Sequence, residues 1–430
     1  MLVREYLKRA LYDAGQGYFV QATPIIYREG RTVNFPRLSG REEWTRTETE
    51  MYSEAETDTR GGEWLTQSEL FAPYFSRTLV EFAVHQHVSK NKDTAGGDCL
   101  NVIEIGGGSG TNALHFLDGL KLRYPQIYAK TRYNLCEISP TLAKIQTSRL
   151  SGRHPGVFGV INQDFLSWSK RIEEPTMILA MEVLDNLPHD KVVYKGPERK
   201  FRDFQFTNAS LWEEVLVTTA GVEVTQPLTD FYIQRALELL FRKDIERSKP
   251  NLTLMDRLRR NANEFLSQWP RFAAERGAKA IFLPTASLQF LEILRKYFPQ
   301  HTLLAGDFAY LPFGDVRTTD RNLRVPGSLF KCRNAPIVSG YDVETKTRKD
   351  FATYILRKQQ KCDVFFQTDF PALLHAYEAE TLGKACIKTS PEFLSTHCPM
   401  EDREKTTTQS GYNPMLEDFA NVSFIIGRRN

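Results

Sequence analysis

CLNVIEIGGGSGTNALHFL, residues 99–117, is the stretch on which the fold turns. Its first seven residues form a short apolar run rich in β-branched side chains, the composition of a buried strand. The glycines of Gly106-Gly107-Gly108-Ser109-Gly110 follow at once. Without a Cβ the backbone turns sharply there and approaches a ligand where a side chain would collide. From Thr111 the apolar residues return at helical spacing. The G-x-G-x-G spacing of 106, 108 and 110 is not the dinucleotide fingerprint, and no Lys-Ser/Thr follows it as in a phosphate-binding P-loop.

The rhythm continues downstream. RYNLCEIS (132–139) predicts a second strand, and PTLAKIQTSRL (140–150) a helix with Pro140 at its first position. VFGVINQDF (157–165) and TMILAMEVL (176–184) predict a third and a fourth strand. Strands alternating with helices indicate a parallel, doubly wound sheet that binds ligands at the carboxyl ends of its strands. Upstream, residues 1–22 read as a short amphipathic helix with a glycine stop, 28–63 as a polar loop with short pieces of structure, and 66–90 as one helix. After residue 190 the pattern changes to alternation over 192–224 and then to a helical block over 228–276. KAIFLPTASLQFLEILRKYFP (279–299) and HTLLAGDFAYLPF (301–313) read as a return to the core. The expected organisation is an N-terminal helical cap (1–95), a core (96–189 and 277–330), an insertion after the fourth strand (190–276) and a C-terminal subdomain (331–430).

Composition narrows the functions. The 430 residues carry 56 basic and 53 acidic side chains, a net charge of +3, so no strong field recruits nucleic acid or anionic lipid. The hydrophobic fraction of 41% and charged fraction of 25% are those of a soluble globular chain. No apolar window approaches the length of a membrane span, so no membrane insertion is expected. The six cysteines form no C-x-x-C pair, which points to a reducing compartment. No metal site is expected. His85 and His87 point about 200° apart on a helix, and Cys386, His397 and Cys398 lack zinc spacing.

The acid Glu104 followed by Gly106, Gly108 and Gly110 resembles motif I of the Rossmann-like class I methyltransferases, which bind S-adenosyl-L-methionine. That resemblance implies a cofactor site in which Glu137, closing the second strand, accepts hydrogen bonds from the ribose hydroxyls. Asp164, with Phe165 beside it, takes the position that holds the adenine amino group. The match narrows further. EIGGGSGTNALHFLDGL, LCEISPTLAKIQTSRL and MEVLDNLPHDKVVY resemble successive blocks of the MidA-type mitochondrial complex I assembly methyltransferases, which modify protein arginine. REYLKRALYDAGQGYF, GEWLTQSELFAPYF and CDVFFQTDFPALLHA resemble three more. The chain departs from the pattern at Met181, at Gln67-Ser68-Glu69 where the family has a proline, and at Gly306-Asp307-Phe308-Ala309. The cofactor side matches better than the substrate side.

The resemblance implies a mitochondrial location and a protein substrate, possibly a complex I subunit. It also brings Glu69 and Thr66 to the mouth of the cofactor site. Arginine's guanidinium is always charged and a poor nucleophile, so a carboxylate pair must grip it and favour loss of a proton. Glu182 and Asp185 are the candidates, an i,i+3 pair that converges if the chain turns helically there. His189 borders them as a candidate proton relay. The competing function is a non-catalytic assembly factor, acting on a respiratory complex or the mitochondrial ribosome, that keeps the fold as a scaffold. RNA methylation is disfavoured by the near-neutral charge.

Overall fold

The computed structural model describes residues 1–13, 15–21, 33–57, 66–90, 99–196, 209–241, 280–311, 329, 332–342, 347–356 and 362–429. The chain divides into two compact units. One comprises Tyr12–Asp185, Phe290–Ala309 and Tyr377–Asn430, and the other Met1–Leu11, Asn186–Gln289 and Tyr310–Ala376. Strands are numbered along the chain over the described residues.

The first unit is built on a seven-stranded sheet. β1 (Asn101–Ile105), β2 (Arg132–Glu137), β3 (Phe158–Asn162), β4 (Thr176–Met181) and β9 (His301–Phe308) run parallel in the spatial order 3-2-1-4-9. β15 (Val422–Arg428) then pairs antiparallel to β9, and β14 (Lys384–Thr389) antiparallel to β15. The order of strand addition reverses between β1 and β4, which puts the crevice at the carboxyl end of β1. Val102 and Glu104 share one face of β1. That face carries a core cluster with Phe71, Phe75, Leu114, Phe116, Leu117, Tyr133 and Leu135. Each fully buried Leu or Phe there stabilises the unit by about 1.5–3 kcal/mol. The helix Thr111–Arg123 supplies Ala113, Leu114, Phe116, Leu117 and Leu120 to this cluster and stops before Pro125, with Lys121 and Arg123 in its last turn. The helix Pro140–Ser151 opens on Ser139, whose hydroxyl accepts the Leu142 N–H.

The second unit holds a five-stranded sheet, β10-β8-β5-β6-β7, and a three-stranded antiparallel sheet, β12-β11-β13. The larger sheet uses β5 (Asp190–Tyr194), β6 (Trp212–Val217), β7 (Glu223–Pro227), β8 (Ala280–Leu283) and β10 (Cys332–Arg333). The smaller uses β11 (Ile337–Asp342), β12 (Thr347–Asp350) and β13 (Cys362–Phe365). Arg4 is its main polar tie. Its guanidinium grips Asp230 through both Nη atoms (2.8 and 2.6 Å) and reaches Asp190 at 2.5 Å. Thr285 Oγ1 donates to the same Asp190 carboxylate at 2.7 Å.

The parallel sheet and its four leading strands match the expected α/β class, and the alternation over 192–224 appears as the antiparallel β5–β6–β7. The expected boundaries are redrawn in three places. β8 does not rejoin the parallel sheet but pairs antiparallel with β5, because an apolar run alone does not specify which sheet receives it. The last hundred residues are shared between the units, since β14 and β15 complete the seven-stranded sheet. The first eleven residues belong with the insertion. Arg41–Thr57, expected as loop, is a helix with Glu42 and Glu43 in its first turn, where they favour the helix dipole, and Trp44 buried. The helix expected over 66–90 is broken at Pro73 into Gln67–Leu70 and Tyr74–Lys90. Of the helical block over 228–276, Phe231–Phe241 is a helix and 242–276 lies outside the described residues.

Candidate active site

The crevice is shaped by the glycine loop. Gly106, Gly108 and Gly110 take φ values of +65°, +53° and +80°, which other residues rarely adopt. Gly106 N–H donates to the Cys136 carbonyl at 3.0 Å, tying the loop to the end of β2. A Cβ on Gly107 would lie 2.6 Å from Leu135 Cδ2, so this glycine is demanded by the core. A Cβ on Gly108 would meet nothing within 4 Å. That position is an open cradle at the amino end of a helix, suited to a ligand pressed against bare backbone.

Glu104 does not face this cradle. Strand alternation turns it into the core, where its oxygens accept from Asn112 Nδ2 (2.8 Å) and Tyr133 Oη (2.9 Å). It supports the loop from beneath and is corrected from cofactor ligand to pedestal. Glu137 sits at the carboxyl end of β2, as the ribose role requires. Its oxygens accept from Ser139 N–H (2.8 Å) and Gln146 Nε2 (3.2 Å), leaving acceptor capacity on both. Burial pushes its carboxyl up to about 7, with nearby Glu104 adding to the rise against these hydrogen bonds. Asp164 caps the turn Phe165–Ser167 by accepting the Leu166 N–H at 2.8 Å. The Phe165 ring is buried against Trp168, Phe290 and Phe298 and offers no free face to a ligand, because aromatic packing claims it.

At the end of β4 the chain departs from a helical turn. Glu182 takes φ +53°, a left-handed conformation that is costly for a residue with a Cβ. Its N–H donates to the Gly306 carbonyl (2.8 Å), and its Oε1 accepts the Gln67 N–H (3.2 Å). Glu182 and Asp185 therefore do not share the helical turn on which the expected i,i+3 convergence depended. The acids that act on the Glu182 carboxylate are Asp307 and Glu69, and burial with their charge raises it to about 8. Glu69 is itself raised to about 7 by burial, against a hydrogen bond from Ser109 Oγ (3.0 Å) and the charge of Arg149. Asp185 is buried and its N–H goes to Asp307 Oδ2 at 3.0 Å.

Asp307 also accepts from Leu184 N–H (2.7 Å) and Phe308 N–H (2.7 Å), so one carboxylate holds the turn after Glu182. Burial raises it to about 7. Arg149 reaches over the glycine loop to Ser109 O (3.0 Å) and Thr111 Oγ1 (2.9 Å). Asp307 falls in the Gly306–Ala309 stretch and Arg149 and Gln146 in LCEISPTLAKIQTSRL, yet the motifs assign none of the three a role at the site.

His189 lies in the other unit and is a packing histidine there. Its ring stacks on Phe366 (3.8 Å between centroids, 7° between planes), Nδ1 bonds the Leu187 carbonyl (2.9 Å), and burial lowers it to about 4. A neutral ring sandwiched in the core does not relay protons, so the expectation is corrected.

Comparison with known proteins agrees with this geometry. Residues 80–386 match the family described as "Putative S-adenosyl-L-methionine-dependent methyltransferase". A curated relative, the protein arginine methyltransferase NDUFAF7 homolog, mitochondrial, of Schizosaccharomyces pombe, is 23% identical over 273 residues, covering 58% of this chain. The chain spans about half the length of that relative, 49%. A Burkholderia thailandensis protein solved with S-adenosyl-homocysteine bound shares the fold at a TM-score of 0.50 and 15% identity, covering all of this chain and 88% of that one. A native structure of an uncharacterized protein from the same organism does so at 0.50 and 13%, covering all of this chain and 87% of its own. The residues at the loop fit the cofactor of that family: an open glycine cradle at 108 beside a buried acid with spare acceptor capacity at 137. With most of its length matched, the chain belongs to this family of S-adenosyl-L-methionine-dependent methyltransferases.

Proposed function

We propose that the chain methylates arginine in a protein substrate in the mitochondrion, in the service of respiratory complex I assembly. The name of the fission-yeast relative supports the substrate and the compartment. The observation that carries the chemistry is the clustering of the half-buried Glu182 and Glu69 with the fully buried Asp307, three acids whose carboxyls are held well above the usual range, chiefly by desolvation. Crowded carboxylates of this kind are relieved by a cation, and a guanidinium is a planar cation with a fork that fits carboxylates.

Bound S-adenosyl-L-methionine supplies an activated methyl group on a sulfonium. The chain's own residues align and deprotonate. The glycine loop would hold the cofactor against its backbone, Glu137 would accept from the ribose hydroxyls and Asp164 from the adenine amino group. Glu182 and Glu69 would grip the substrate guanidinium and orient one of its nitrogens, so orientation would provide most of the acceleration. Glu182 takes the proton lost as that nitrogen is alkylated, and a carboxylate near neutrality is matched to the task.

Tritiated S-adenosyl-L-methionine, incubated with mitochondrial protein and RNA fractions, tests this. Label on protein arginine is expected. Glu182→Gln is expected to bind S-adenosyl-homocysteine normally and to lose at least about 100-fold in turnover, the scale of a removed acid–base group. Normal turnover in that variant removes Glu182 from the mechanism. Label on RNA replaces the substrate class, and cofactor binding with neither fraction labelled favours the scaffold role.

A further inference from the structure

Gln146 is completely buried, yet among the described residues its carboxamide makes only two hydrogen bonds, both from the same nitrogen. Nε2 donates to the Gly108 carbonyl at 2.8 Å and to Glu137 Oε2 at 3.2 Å. Its Oε1 has no partner among the described residues. The orientation of the amide is dictated by chemistry, because a backbone carbonyl only accepts and the nitrogen must face it. Leaving a buried amide oxygen unsatisfied is costly. Among the described residues, both polar contacts of the amide are thus N–H donations.

Those two acceptors belong to the two halves of the cofactor crevice. Gly108 is the open cradle, and Glu137 is the acid at the end of β2. The same side chain lines the loop's exit, since its Cγ lies 3.2 Å from where a Cβ on Gly110 would be. The helix Pro140–Ser151, which carries Gln146, is itself fixed at its start by Ser139, whose N–H donates to Glu137 Oε1. Glu137 is therefore clamped on both oxygens from one helix, and one of the two clamps also holds the glycine loop.

We infer that Gln146 is a positioning residue for the cofactor, fixing the Glu137 carboxylate relative to the Gly108 backbone so that ribose hydroxyls meet an aligned acceptor. The inference rests on Glu137 taking the ribose, part of the function proposed above. The groups facing Glu137 are Glu104 from β1 and Cys136 on its own strand; the first raises it, and Cys136 is a neutral thiol pushed up to about 12.

The test is a thermodynamic cycle by calorimetric titration, using S-adenosyl-homocysteine and its 2′-deoxy analogue against the parent, Gln146→Leu and Gln146→Met. The unbranched methionine keeps the side chain's length should leucine disturb packing, and a thermal melt reports folding. The parent is expected to prefer the ribo ligand by about tenfold, the scale of a hydrogen bond to a charged acceptor. In the variants that preference is expected to fall below about threefold while the deoxy ligand binds nearly as before. Equal weakening of both ligands, with the preference intact, overturns the role of Gln146. A parent without any preference overturns the ribose contact of Glu137 and the inference with it.

Discussion

Two neighbouring glycines give opposite answers to the same substitution, and the contrast tests where the cofactor lies. Gly108→Ala adds a methyl that meets, among the described residues beyond its chain neighbours, no atom within 4 Å, so its folding cost is that of the backbone. Holding alanine at φ +53° costs about 1–2 kcal/mol. In a folding unit of roughly 250 residues this lowers Tm by about 2–8 °C. The methyl occupies the cradle, however, and the ligand loses its approach to bare backbone. Affinity for S-adenosyl-homocysteine is expected to fall at least about 100-fold, or about 2.7 kcal/mol.

Gly107→Ala behaves in reverse. Its Cβ falls 2.6 Å from Leu135 Cδ2 and 3.3 Å from the Glu104 carboxylate. Overpacking of this kind costs about 1–3 kcal/mol, and because the methyl points into the core, affinity is expected to change less than about tenfold. Differential scanning fluorimetry and calorimetric titration on both variants read the two quantities separately. Gly108→Ala that binds within about threefold of the parent refutes a ligand seated on that backbone.

Raised carboxyls also dictate how the empty protein responds to pH. Glu69, Glu137, Glu182 and Asp307 hold their protons to about 7 or 8 when folded but release them near their ordinary values when unfolded. Stability is expected to be fullest below about pH 4.5 for these groups and to decline as pH rises towards 8, by up to about 1.4 kcal/mol per unit for each. Melting between pH 5 and 8 checks it, and a Tm that climbs with pH contradicts it. Arg4→Ala leaves Asp190 buried without its cation and frees Asp230. A loss of about 3–5 kcal/mol in urea unfolding is expected, and less than about 1 kcal/mol would make the cluster ornamental. Tyr133→Phe removes the donor to Glu104 Oε2 and is expected to cost about 1–3 kcal/mol, read by the same unfolding curve.

The opening strand, glycine turn and helix were legible because each signal is local: β-branched residues to 105, positive-φ glycines, then apolar residues at helical spacing from 111. The acid at 137 was legible for the same reason, since it closes a strand followed by Ser139-Pro140. What failed depended on distant partners. Ala280–Leu283 reads the same whether it joins β4 or β5, and only tertiary pairing decides. The run Val422–Arg428 reads as a strand, yet its place beside β9 is set by residues more than a hundred positions away. Glu182 and Asp185 have the spacing of a helical pair, but Glu182 continues the ladder to the Gly306 carbonyl and takes a left-handed conformation that spacing does not reveal. The pairing of Glu182 with Glu69 spans more than a hundred residues and left no motif.

The antiparallel strand β15 wedged between β9 and β14 carries a consequence for synthesis. Its pairing partner in β9 leaves the ribosome roughly 115 residues earlier, a wait of about 6–23 s at ordinary elongation rates. During that interval the nascent sheet presents Leu303, Leu304 and Ala305 along an unpaired border, open to sticking to another chain. Slowing translation over the closing stretch lengthens the exposure, so the yield of soluble protein should depend on codon choice near residues 384–428 and on chaperones able to shield a bare edge.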